Sequence, residues 1–217
     1  MRVQVLPYRT RSEQEAALER TAGHLGDGGL IAHPTETVYG FGGALDPEPL
    51  DALVQLKRRN RARPFLLLVA DVDRVDGLVW NGAARALARA FWPGPLTLAL
   101  RAEPGAFPAQ VCGADGTVAV RVTGHDGMRM LLRVFGRPIT STSANIPGAE
   151  PATDPDAVRR VLQAVRHAGG MLLLDGGPLP ASPPSTIVDC GTERPRVLRE
   201  GAITTAELSN VVHDIAI

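Results

Sequence analysis

Lys57-Arg58-Arg59-Asn60-Arg61-Ala62-Arg63 sets five fixed positive charges within seven residues of a chain whose 23 basic and 23 acidic residues otherwise cancel. Clustered cations must meet an anion or stay solvated and mutually repelled, and phosphate is the obvious partner. Three readings are open. The anion is a nucleic-acid backbone, where charge acts in bulk. It is a nucleotide held for chemistry, where fixed cations stabilise developing negative charge. Or the run is a solvated surface stretch with no ligand.

Three further segments carry polarity next to apolar runs. Pro34-Thr35-Glu36-Thr37-Val38-Tyr39-Gly40 follows the apolar Leu30–His33. Thr117-Val118-Ala119-Val120-Arg121 ends an apolar stretch on an arginine. Thr140-Ser141-Thr142-Ser143-Ala144-Asn145 is a run of small hydroxyl and amide residues. Singly, these read as a capped turn, a salt-bridged or snorkelling arginine, and a Ser/Asn turn. Together with the basic run they favour a site, because open α/β sheets bind ligands at strand ends and short hydroxyls suit phosphate and ribose oxygens.

The familiar templates are absent. There is no GxxxxGK[ST], and Gly40-Phe41-Gly42-Gly43 is followed by Leu45 where GxGxxG needs glycine. HExxH and GxSxG are missing too. His24, His33, His125, His167 and His213 have no metal-ligand spacing and read mostly as surface or capping residues, so no metal site is expected.

The elements that must position these segments follow from periodicity and caps. Ser12-Glu13-Gln14-Glu15 reads as a capping box opening a helix that buries Leu18, Ala22 and Leu25 and stops at Gly26. Asp46 caps a helix over Pro47 to Lys57 with the stripe Leu50, Leu53, Val54 and Leu56, so the basic run starts on its last turn. Further helices are predicted over Ala83–Phe91 and Met128–Val134, and after Thr153-Asp154-Pro155, with a final one opened by Thr204-Thr205-Ala206-Glu207. Strands are predicted at Leu30–His33, Phe65–Val69, Leu96–Leu100, Thr117–Val122, Pro138–Ser141, Met171–Leu174, Thr186–Val188 and Arg196–Leu198. Helices and strands interleave without a clean βαβ repeat, which predicts an α/β fold with an open, twisted, mixed sheet flanked by helices.

Hydrophobic residues at 44% and charged residues at 21% fit a globular chain, and a single domain over 1–217 is expected, with no appended C-terminal domain. Cys112 and Cys190 have no CxxC partner and read as buried thiols of a reducing compartment. Neither an apolar leader nor a run of about 18 apolar residues is present, so a cytoplasmic location without membrane contact is expected.

HPTETVYGFG (33–42), LKRRNRARP (56–64), FWPGPLTLAL (91–100), TVAVRV (117–122), TSTSANIPG (140–148), PSTIVD (184–189) and VLREGAI (197–203) occur in one order. In this the chain strongly resembles the YrdC/TsaC family, the threonylcarbamoyl-AMP synthases, over roughly residues 12–203. The resemblance implies that L-threonine, bicarbonate or CO2, and ATP are joined into threonylcarbamoyl-adenylate with release of pyrophosphate. ATP would bring Mg2+, and a partner transferase would carry the threonylcarbamoyl group to tRNA.

By the resemblance, Lys57, Arg59, Ser143 and Asn145 form the catalytic pocket and, with Thr117, Pro151 and Arg199, hold ATP. Thr35, Arg121, Ser141 and Ser185 form the L-threonine pocket, with Arg121 on the carboxylate. Such chemistry brings two anions together, which is what fixed cations are for. The chain departs from common family residues at Asn60, at Leu68 and in Arg121-Val122-Thr123. Two rivals remain: a structured-RNA-binding module, for which Arg129, Arg133 and Arg137 add support and zero net charge and few aromatics speak against, and a diverged paralogue of other activity. Weak RNA binding beside the synthase activity is also compatible.

Overall fold

The computed structural model describes residues 3–58, 64–71, 75–165 and 170–217. In chain order the elements are β1 (Gln4–Pro7), α1 (Arg11–Gly26), β2 (Leu30–His33), β3 (Gly40–Gly42), α2 (Pro47–Lys57), β4 (Leu66–Leu68), β5 (Leu78–Val79), α3 (Gly82–Phe91), β6 (Leu96–Ala102), β7 (Thr117–Arg121), α4 (Asp126–Phe135), β8 (Ile139–Ser143), α5 (Pro155–Ala164), β9 (Met171–Asp175), β10 (Thr186–Asp189), β11 (Arg196–Arg199) and α6 (Thr205–Ser209).

The strands form one 11-stranded sheet in the order β1-β9-β2-β3-β8-β4-β7-β6-β10-β11, with β5 paired to β6. Parallel pairs (β1–β9, β2–β9, β4–β7, β6–β10) mix with antiparallel ones (β2–β3, β3–β8, β4–β8, β6–β7, β10–β11). The sheet is open, since β1 and β11 stand at opposite ends of the order.

Side chains alternate across each strand, so each apolar run feeds two cores. Leu30 and Ala32 of β2, Leu67 of β4 and Leu173 of β9 face a core that also takes Leu50 and Leu53 of α2, Leu87 of α3, Val158 and Leu162 of α5, and Leu208 of α6. Their neighbours Ile31, Leu68, Leu172 and Leu174 face a second core with Ala17 and Leu25 of α1 and Met128, Leu131 and Leu132 of α4. The first core spans the sheet out to Leu98, Leu100, Val118 and Val188. The second takes no residue from β6, β7, β10 or β11 among the described residues, so that half of the sheet keeps one face uncovered by helix.

Several boundaries move from the sequence-based expectation. The first capping box lies two residues earlier: Thr10 Oγ1 accepts from Glu13 N at 3.3 Å while Glu13 Oε2 accepts from Thr10 N at 2.8 Å. Ser12 and Glu15 have the same spacing, but Thr10–Glu13 wins because Glu13 also takes Arg9 N at 2.8 Å, which stops the chain turning later. Asp46 sits at the N-cap of α2 without a side-chain cap bond; Arg137 claims both its oxygens, at 3.2 and 2.9 Å. β8 runs on through Ser143, so most of the hydroxyl run is strand and not turn. Cys112 is only partly buried, whereas Cys190 is buried. No described helix is long and apolar enough to cross a membrane.

Candidate active site

The uncovered half-sheet carries a wall of small side chains. Along β6, Leu96, Leu98 and Leu100 enter the first core, which turns Thr97 and Ala99 to the other face; along β7, Val118 and Val120 do the same and turn Thr117, Ala119 and Arg121 to that other face. With Leu66, Ser141, Ser143 and Ile187 they floor a cleft of about 370 Å³, walled by the 35–40 loop, Pro151, Pro184, Ser185, Leu198 and Arg199. Space exists here because Thr97, Ala99, Thr117, Ala119, Ser141 and Ser143 stand where a closed core would have leucine.

Arg121 is 4% exposed and its guanidinium is fixed on three sides. Nη2 pairs with Glu36 Oε1 at 2.7 Å and lies 3.5 Å from Thr37 Oγ1, and Nε donates to Gly94 O at 3.1 Å. Glu36 is itself held: Thr123 Oγ1 donates to Oε2 at 2.5 Å and Gly124 N to Oε1 at 2.9 Å. Burial alone would push the Glu36 carboxyl up, but the Arg121 guanidinium, with the Thr123 and Gly124 donors, holds it below the usual carboxylate range. The arginine is therefore aimed before any ligand arrives, and Glu36 does the aiming.

Lys57 lies one turn beyond Leu53 and two beyond Leu50 on the buried stripe of α2, which explains why a lysine is only 6% exposed. Its ammonium donates to Ser143 O and Asn145 O, each at 2.8 Å, and to Asn145 Oδ1 at 2.6 Å. Ser143 Oγ donates to the same Asn145 oxygen at 2.8 Å, and Asn145 Nδ2 to Ala149 O at 2.6 Å. A left-handed Arg58 (φ 46°) ends the helix and turns the chain away. The end of α2 is thus pinned to the loop after β8, with a positive charge beneath it.

On the opposite wall, Arg199 of β11 gives Nη2 and Nε to Ser185 O, at 2.7 and 3.2 Å, and Ser185 Oγ lies 3.0 Å from Thr97 Oγ1. Burial first, then the like charge of Arg121, lowers the pKa of Arg199. Glu36 offsets the charge of Arg121, so Arg199 is what tips this cleft toward positive charge, the condition of an anion site.

Of the residues picked from sequence, Thr35, Thr117, Arg121, Ser141, Ser143, Pro151, Ser185 and Arg199 line this one cleft. Lys57 and Asn145 join it through Ser143. Arg59, with Asn60, Arg61 and Arg63, lies outside the described residues. The hydroxyls picked from sequence are already engaged: Thr35 Oγ1 donates to Val38 O at 2.7 Å, Thr117 Oγ1 to Asp115 Oδ1 at 2.7 Å and Ser143 Oγ to Asn145, while Ser141 Oγ and Ser185 Oγ lie against His33 Nε2 and Thr97 Oγ1. Sequence reasoning passed over Glu36, Thr97, Ala99 and Ala119. The signal was present in the alternation of large and small residues through LTLAL and TVAV. His33, the last residue of the predicted Leu30–His33 strand, is wholly buried behind Ser141, because β2 is covered on both faces.

Fold and cleft together define an α/β protein with an open mixed sheet whose cleft is lined by two arginines and a hydroxyl-rich strand. The Sua5/YciO/YrdC family pattern, described as "Telomere recombination", matches residues 24–201, and the chain belongs to that family. It is 32% identical over 207 residues to the threonylcarbamoyl-AMP synthase of Bacillus subtilis, covering 94% of this chain and 59% of that protein. It is 44% identical over 145 residues to the threonylcarbamoyl-AMP synthase of Methylococcus capsulatus, covering 64% of this chain and 75% of that one. The crystal structure of Pyrococcus abyssi Sua5 complexed with L-threonine superposes with a TM-score of 0.89 at 32% identity, over 98% of this chain and 62% of that one. The chain thus spans about three fifths of the length of the Bacillus and Pyrococcus relatives.

Proposed function

We propose that the chain is an L-threonylcarbamoyladenylate synthase, a nucleotidyltransferase that joins L-threonine, bicarbonate or CO2, and ATP and releases pyrophosphate. The observation that carries this reading is a preaimed Arg121, held by Glu36 at 2.7 Å, in a small-walled cleft shared with Arg199 and bordered by the Lys57–Asn145 cluster. Relatives of this name, and the L-threonine bound to the Pyrococcus relative, support it.

In this account the threonine carboxylate lies on Arg121, with Thr35, Ser141 and Ser185 around the amino acid. Thr117, Ser143, Asn145, Pro151 and Arg199 face the nucleotide. Lys57 supplies a fixed charge to its phosphates, as does Arg59. The neutral threonine amine attacks CO2 and gives up one proton to solvent to form a carbamate, and a carbamate oxygen then attacks the α-phosphorus. The α–β phosphoanhydride bond breaks and its electron pair leaves on pyrophosphate. The chain's contribution is to hold two anions in reach and to offset their charge, which in a site shielded from water is worth far more than in bulk. ATP is expected as its Mg2+ complex, since phosphate oxygens suit a hard cation. Among the described residues no cluster of three His, Cys, Asp or Glu is placed to hold a metal.

A transferase acting on tRNA is the expected consumer of the adenylate, in the cytoplasm. The rival reading as an RNA-binding module loses support on the surface: Arg129, Arg133 and Arg137 are paired with Asp126, Asp71 and Asp46. The test is pyrophosphate release by purified protein with ATP, threonine and bicarbonate. Release requiring both co-substrates supports the proposal; release indifferent to threonine overturns it, and salt-sensitive RNA binding without release would favour the rival.

A further inference from the structure

His33 lies directly behind the cleft wall and is used by none of the chemistry above. Its ring is wholly buried, with Nδ1 3.2 Å from Pro34 O and Nε2 3.3 Å from Ser141 Oγ. A carbonyl oxygen only accepts, so Nδ1 must carry the proton. Nε2 is then a bare acceptor, and the Ser141 hydroxyl must donate to it. A serine hydroxyl has one hydrogen and two lone pairs, so Ser141 is left with lone pairs alone for the cleft.

We propose that His33 is a positioning residue: by fixing the Ser141 hydroxyl hydrogen on its Nε2, it makes Ser141 an obligate acceptor that selects the protonated or neutral amine of an amino acid whose carboxylate lies on Arg121. This rests on the functional reading above and adds the polarity of its amino-acid subsite. Glycine at 40 is part of the device, since a Cβ there would stand 2.9 Å from Ser141 Oγ and 3.0 Å from both His33 Nε2 and Cε1. The same geometry resembles a relay from substrate amine through Ser141 to the imidazole, but the imidazole will not take the proton. Burial, against the weaker pull of Pro34 O and with Arg121 and His125 adding like charge, brings its pKa down to about 4. An amine proton would have to climb several orders of magnitude in acidity to reside there. His33 therefore orients and does not act as a base.

Two measurements test this. Imidazole 15N NMR of the free protein is expected to show His33 as the neutral Nδ1–H tautomer, with the Nε2 resonance shifting in Ser141→Ala. Calorimetric titration with L-threonine is expected to show about tenfold weaker binding for His33→Asn, the loss of one hydrogen bond's worth. His33→Gln, whose side-chain oxygen reaches the Nε2 position, should stay near wild type. In a Ser141→Ala background His33→Asn should add nothing. An Nε2–H tautomer, or His33→Asn and Ser141→Ala effects that add in full, would overturn the role of His33 alone. Wild-type protein that binds no L-threonine would overturn the functional reading itself.

Discussion

Replacing Lys57 with methionine keeps most of a buried stem and removes the ammonium. Three oxygens then lose their donor: Ser143 O and Asn145 O at 2.8 Å and Asn145 Oδ1 at 2.6 Å. Hydrogen bonds to a charged group contribute roughly 1.5–3 kcal/mol each, so a plain sum approaches about 4–9 kcal/mol. That sum overshoots on two counts. Ser143 Oγ still donates to Asn145 Oδ1 at 2.8 Å, and the buried ammonium no longer bears its own desolvation cost. A net loss of about 2–4 kcal/mol follows, or roughly 5–15 °C in Tm for a chain of this size. The chemistry should suffer more, because a lost fixed charge on a phosphate typically costs about 10²–10³ in rate. Thermal melting and pyrophosphate release, measured side by side below the variant's Tm, separate the two effects. A Lys57→Met protein that melts with the wild type and turns over within about threefold of it would refute both the anchoring and the charge assigned to this residue.

Glu36→Gln keeps shape and removes the charge that aims Arg121; L-threonine affinity should fall about tenfold or more, with the KM for ATP little changed, as read by titration and steady-state kinetics. Ala119→Leu should fill the cleft from the β7 wall and lower kcat/KM at least about a hundredfold, while Tm moves little because the new side chain enters open space and not packed core; retained activity would mean the substrates bind elsewhere. Acid should destabilise the fold early. An unfolded histidine protonates near 6.5, whereas His33 stays neutral in the fold until about 4, so its share of stability is complete above 6.5 and lost as pH falls toward 4. That share is on the order of 3 kcal/mol. His125, its pKa lowered chiefly by burial, acts in the same direction, and Glu36 adds its loss below its ordinary 4.5. Denaturant unfolding from pH 7 to 5 should therefore show falling stability, and His33→Gln should flatten most of that slope.

What was legible in the chain was legible for local reasons. Asp46-Pro47 and the 50–53–56 stripe define α2, and Asp154-Pro155 defines α5, because caps and helical periodicity are written in neighbouring residues. β1, β3 and β5 were missed: QVLP is mostly exposed and ends in proline, and GFG and the two-residue Leu78–Val79 are too short to show a period. At Gly42 a Cβ would stand 2.2 Å from Thr140 O, a close approach that only the folded sheet makes visible. The cleft was half legible. The segments holding Arg121, Ser141 and Ser143 stood out by their own residues, whereas their roles, and Arg199, came from family resemblance; the small-for-large alternation in β6 and β7 could have placed the wall. The Glu36–Arg121 and His33–Ser141 contacts could not be read, since each joins segments brought together only by sheet order.

The central claim is the identity of the product. Incubation with ATP, L-threonine and 13C-bicarbonate, followed by rapid quenching and mass spectrometry, is expected to show an adenylate carrying both threonine and one 13C, formed together with pyrophosphate. AMP release with threonyl-adenylate lacking the label, or no adenylate at all from folded protein, would contradict it.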